Sequence, residues 1–129
     1  MYSTTKELSR YRDLIIRDAV NRFRGAAYFA GKGQPPEDIA HAVCEGLMDL
    51  LMEPSQARDV ATVRRYMEWL YNLIRKEGKK TDTTIRFLDE FEEIITRRLD
   101  NKQDAEVDVF FEICREIVEN KHKQLIGKP

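Results

Sequence analysis

The sequence predicts an all-α fold, with about five amphipathic helices in a bundle or a globin-like packing. Three observations lead there. Apolar residues recur at spacings of three and four along the chain, which gathers them on one side of a helix. No segment shows the strict apolar–polar alternation of a half-buried strand. Charged residues make up 35% of the chain, above the ordinary ~25%, as helices with one wet face require. At 129 residues the chain is long enough to bury a core without staples, and it reads as one helical domain over 1–129.

The first helix is expected over Thr5–Ala30. Leu8, Tyr11, Ile15, Ala19 and Ala26 form one apolar stripe, and Ile16, Val20, Phe23 and Ala27 form a second beside it. Arg10, Arg17 and Arg24 fall seven apart on the wet side. Two stripes make a face wider than one packing partner needs. The helix is therefore expected to lie centrally or to meet a second copy of the chain. Tyr11, Ile15, Ile16, Ala19, Val20 and Phe23 are the residues assigned to such an interface. Gly31 and Gly33 suit a left-handed ending after it.

The second helix is expected to start at Pro35-Pro36-Glu37-Asp38, because proline tolerates the first turn and acids suit the positive end of the dipole. Ile39, Val43, Leu47, Leu50 and Leu51 face inward, and Pro54-Ser55 ends it. The third covers about Gln56 to Glu77, with Val60, Val63, Met67, Leu70, Tyr71 and Ile74 on its core face and Gly78 as its stop. The fourth follows an N-cap at Thr81 or Asp82 and carries Ile85, Leu88, Phe91, Ile95 and Leu99. The fifth runs from about Asp104 to Gln124, with Val107, Phe110, Phe111, Cys114, Ile117 and Val118 inward. Trp69 and Phe87 lie off the main stripes and mark an interface wherever they are exposed. Short links between the helices imply antiparallel neighbours.

Charge excludes some classes of function. The net charge is −1, and the pI of about 6.2 is far from the basic footprint of a nucleic-acid binder. Segment 4–31 is basic, whereas 36–53 holds Glu37, Asp38, Glu45, Asp49 and Glu53 with no Lys or Arg. Complementarity inside the chain is the plain use of that contrast. The N-terminus has no apolar signal core and no run is long enough to span a bilayer, so a cytoplasmic protein with no membrane partner is expected. Cys44 and Cys114 lie within apolar helical patterns and read as reduced core thiols.

Candidate chemistry rests on few residues. Asp38 with His41, and Glu119 with His122, have the i, i+3 spacing that di-iron bundles use. Asp38 is explained by its place in a first turn, and the remaining helices offer no buried glutamate to complete a set. No metal and no cofactor is therefore expected. His41 and Cys44 share a helix face, but Glu45 beside the thiol would hold its proton on, so no nucleophile is expected either. Arg64-Arg65 and Arg97-Arg98 could touch phosphates, yet acids three or four residues away are the simpler partners.

Two resemblances follow from particular segments. Ile39-Ala40-His41-Ala42-Val43-Cys44-Glu45-Gly46 loosely resembles the phosphoaccepting helix of histidine phosphotransfer domains. Those place a lysine three and a glycine four positions after the histidine. Here Cys44 and Glu45 stand there and the glycine comes one place late, so the match fails. The run from Val63 to Gly78, followed by Thr84-Ile85-Arg86-Phe87-Leu88-Asp89-Glu90-Phe91, resembles the N-terminal sensory domains of stressosome co-antagonist proteins, the RsbR-like group. That resemblance implies a globin-like helical domain, often without haem, that dimerises and relays a signal. No functional residue carries over from it. The expectation is a non-catalytic regulatory, sensory or interaction domain that dimerises through helix faces. A helical DNA-binding regulator and a metal-binding bundle are the alternatives.

Overall fold

The computed structural model describes residues 4–25, 27–53, 59–74, 82–99 and 105–126. Among the described residues there are five α-helices: α1 (Thr4–Phe23), α2 (Pro36–Met52), α3 (Val60–Ile74), α4 (Asp82–Arg98) and α5 (Ala105–Ile126), with a short 3-10 turn at Ala27–Phe29. No strand occurs among the described residues, so the chain is all-α.

Helix α1 packs against α2 and α4, and α5 packs against α3 and α4, while the 3-10 turn touches α2 and α3. Asp18 meets Arg98, Arg22 meets Glu90 and Phe23 meets Phe87, so α1 and α4 run antiparallel. Buried residues of all five helices join one hydrophobic cluster.

This arrangement explains the doubled stripe of α1. Ile16 and Val20 border α2, whereas Phe23 packs on Phe87 and Phe91 of α4. Ile15, Ala19 and Phe23 are fully buried within the chain, Ile16 and Val20 nearly so, and Tyr11 is half-buried. The helix is therefore central, and the face assigned to a second copy is occupied by the chain's own neighbours.

α1 stops at Phe23, short of the expected Ala30. A continued helix would carry Tyr28 and Phe29 about 140° and 240° around the axis from Phe23. The chain turns instead, and both rings enter the core beside Phe87, at 5.5 Å and 5.6 Å between centroids. Gly31 and Gly33 adopt the left-handed φ of 72° and 85° expected of them, but in the link after the 3-10 turn and not as the end of α1.

α2 begins at Pro36, with Glu37 and Asp38 in its first turn. Asp59 caps α3: its Oδ1 accepts from the Ala61 amide at 3.0 Å and its Oδ2 from the Thr62 hydroxyl at 3.2 Å. The expected start at Gln56 and the boundary residues Pro54, Ser55, Gly78 and Thr81 lie outside the described residues. Val60, placed inward by spacing, is 55% exposed because it opens the helix, and Val63 one turn later is the first to reach the core. Ile39, Ile85 and Ile117 are half-buried. Phe87 is fully buried and Trp69 is 48% exposed, so of the two off-stripe aromatics one is core and one is surface. The reason is that α4 is flanked by α1 and α5, which widens its buried arc to include position 87.

Candidate functional site

The antiparallel packing of α1 on α2 leaves an open groove of about 430 Å³ between them. Ile16 and Val20 form its floor, and Arg12, Arg17, Glu37, His41 and Glu45 stand along its walls. Here the basic first helix and the acidic second helix meet. Arg12 lies 3.1 Å from Asp49 and 3.8 Å from Glu45, and Glu45 in turn lies 2.5 Å from Nδ1 of His41 one helical turn back. Arg12 thus ties the basic segment to the acidic one across this seam.

A histidine held by a carboxylate is part of a general-base arrangement. The groove residues supply no serine, threonine or cysteine for it to activate. Cys44 is three residues from His41 but is fully buried in the core while His41 is exposed, and burial pushes its thiol well above the usual cysteine range. Cys114 is also a buried free thiol.

The second histidine is engaged elsewhere. His122 lies half-buried, with Nδ1 2.9 Å from the Tyr71 hydroxyl and the two rings edge-on. The Asp38/His41 and Glu119/His122 pairs therefore belong to different contacts, one along the α1–α2 seam and one between α3 and α5. Among the described residues no three His, Cys, Asp or Glu side chains converge where a metal ion could sit.

Arginines are drawn into ion pairs within the fold. Arg98 donates to Asp18 at 2.8 Å, Arg97 lies 2.5 Å from Glu93, and Arg22 pairs with Glu90. Glu90 also accepts from the Tyr28 hydroxyl at 2.6 Å. Burial, then this bond to a carboxylate, push the Tyr28 hydroxyl above the usual tyrosine range.

Two features escape sequence reasoning. Arg115 of α5 donates to Asp89 at 3.0 Å and to Glu92 at 2.8 Å of α4. Burial raises the Glu92 carboxyl, and a hydrogen bond with Asp108 adds to the rise, while Arg115 opposes it. These partners are more than fifteen residues apart, so only the pairing of α4 with α5 reveals them. Gly46 is the second. The Tyr66 ring of α3 lies over it, and its hydroxyl donates to the Val43 carbonyl at 2.8 Å. A side chain at 46 would put Cβ 2.8 Å from Cε2 of that ring. A glycine inside an apolar helical pattern was the available signal.

Trp69 lies beside Tyr66, with ring centroids 5.4 Å apart, and it is exposed, as are Val60 and Val109. No helix among the described residues is long and apolar enough to cross a membrane. The chain matches no protein-family model, no curated protein and no solved structure.

Proposed function

We propose that this chain is a non-catalytic regulatory or interaction domain that works by helix-face association, with a second copy of itself as the partner. The observation that carries the reading is the engagement of each candidate reactive group in a structural contact. His41 is held by Glu45, His122 by Tyr71, and both thiols are buried in the core. What is left for recognition is the outer surface of the helices, where charge is segregated and Val60, Trp69 and Val109 are exposed. A net charge of −1 lets copies approach without global repulsion. The likeness of the Val63–Gly78 and Thr84–Phe91 segments to dimerising sensory domains supports the same reading.

Sedimentation velocity over a wide concentration range tests it. The expected result is a mass that climbs with concentration above the 15.2 kDa of one chain. A single chain at every concentration and salt would remove self-association from the account.

A further inference from the structure

The outermost residues of α1 and α5 can be read from their buried arcs. Leu8, Ile15, Ile16, Ala19, Val20 and Phe23 face the core of α1, so Leu14, Arg17 and Asn21 lie away from the core, the last two at the open edge of the α1–α2 groove, and Arg24 follows in the turn just past the helix, its amide still bonded to the Val20 carbonyl at 2.9 Å. Val107, Phe110, Phe111, Cys114 and Val118 face the core of α5, which puts Val109, Glu112, Glu116 and Glu119 outermost. Arg17, Asn21 and Arg24 are exposed and Leu14 is half-buried. Val109 is 52% exposed, and the three glutamates are exposed too.

The two rows share one spacing: three, four, three. Each spans about 15 Å at 1.5 Å per residue. Laid side by side in parallel, they set Leu14 against Val109, Arg17 against Glu112, Asn21 against Glu116 and Arg24 against Glu119. Apolar meets apolar, amide meets acid, and two arginines meet two glutamates. Asp13 and Lys123 fall outside the paired stretch, and the residues of the wrong sign inside it, Asp18 and Arg115, are engaged within the chain by Arg98 and by Asp89 and Glu92. Arg17 is held within the chain by Asp18 at 3.7 Å, whereas Arg98 holds that same carboxylate at 2.8 Å, so Arg17 is the partner that can swing outward.

We propose that a second copy of this chain docks the outer row of its α5 on the outer row of α1, pairing acidic face with basic face. The proposal rests on the self-association reading above and assigns its surface. The two faces differ, so the contact is heterologous and either closes into a ring or continues from copy to copy. Exposed ion pairs are individually weak and screened by salt, so the association is low in affinity and falls as ionic strength rises.

Charge reversal with recombination tests it. Arg17→Glu/Arg24→Glu gives a chain with both faces acidic, and Glu112→Arg/Glu119→Arg gives one with both faces basic. Each variant is expected to associate at least about tenfold more weakly than the parent at low salt, through lost pairs and new repulsion. Mixing the two in equal amounts is expected to restore association, because each then offers the face the other lacks. Both should keep the parent's circular dichroism, since all four positions are exposed. If a reversed variant fails to fold, the glutamine versions at the same positions replace it and are expected to weaken association as well. A parent that associates while the variants associate equally, or a mixture that stays dissociated, overturns the pairing of faces and leaves self-association standing. A parent that never associates removes both.

Discussion

Gly46→Ala puts a methyl group where α3 docks on α2. Its Cβ would lie 2.8 Å from Cε2 and 2.9 Å from Cζ of Tyr66, both inside normal contact. The ring must move, and the hydrogen bond from its hydroxyl to the Val43 carbonyl, now 2.8 Å, is lost or stretched. Overpacking of this kind costs about 1–3 kcal/mol and the hydrogen bond about 0.5–1.5 kcal/mol. Against that, alanine in place of glycine inside a helix gains about 0.5–1 kcal/mol. The net is a destabilisation of about 2 kcal/mol, or a melting point lower by about 4–8 °C for a chain of this size. Urea and thermal unfolding followed by circular dichroism measure it. The decisive control is the same substitution in a Tyr66→Ala background. There the crowding is gone, so Gly46→Ala should stabilise by about 0.5–1 kcal/mol, reversing its sign. A stabilising Gly46→Ala in the parent chain would refute the docking of Tyr66 on this glycine.

Other consequences can be checked on the same purified protein. Phe87→Ala removes a ring 4.6 Å from Phe23 and 6.0 Å from Phe91, and is expected to cost about 3–5 kcal/mol in urea unfolding; a loss below about 1 kcal/mol would contradict its central place. Tyr71→Phe deletes the hydroxyl that meets His122 and should cost about 1 kcal/mol, with His122→Ala adding little further in the double variant. Glu92 carries a raised carboxyl, chiefly through burial, so the folded state holds its proton more tightly than the unfolded state does. That contribution favours folding below about pH 4.5 and fades as pH rises past the raised value, so the stability of Glu92→Gln relative to the parent should improve from pH 4 to pH 7. A difference that is flat or falls with pH would argue against it. Neither Cys44 nor Cys114 should react with a thiol reagent until the protein unfolds, and rapid labelling of native protein would place one of them at the surface.

The helical class, the order of the helices and most core positions were legible because apolar spacing records which side of each helix is dry. Val63, Met67, Leu70, Tyr71 and Ile74 on α3 illustrate this, and all five are buried. Spacing says less about how many neighbours a helix has. The doubled stripe of α1 was open to two readings until α2 and α4 were seen on either side of it. It also misjudges ends: Val60 fits the apolar period yet is exposed, and Tyr28 and Phe29 fit a longer helix yet reach the core only because that helix stops. The contrast between basic 4–31 and acidic 36–53 did foretell the contacts of Arg12 with Glu45 and Asp49. The ties of Arg98 to Asp18 and of Tyr28 to Glu90 cross 80 and 62 residues, and no local pattern encodes them. His41 and His122 were visible as candidates, but their actual partners, Glu45 and Tyr71, follow from one helical turn in the first case and from tertiary packing in the second.

Amide chemical shifts recorded by NMR while the protein is diluted at low salt would address the association surface residue by residue. The account predicts that the shifts that change belong to the outward positions from Leu14 of α1 to Arg24 just past its end and from Val109 to Glu119 of α5, and that added salt reproduces the effect of dilution. Changes centred instead on Trp69 and Tyr66, or spectra that do not depend on concentration, would contradict it.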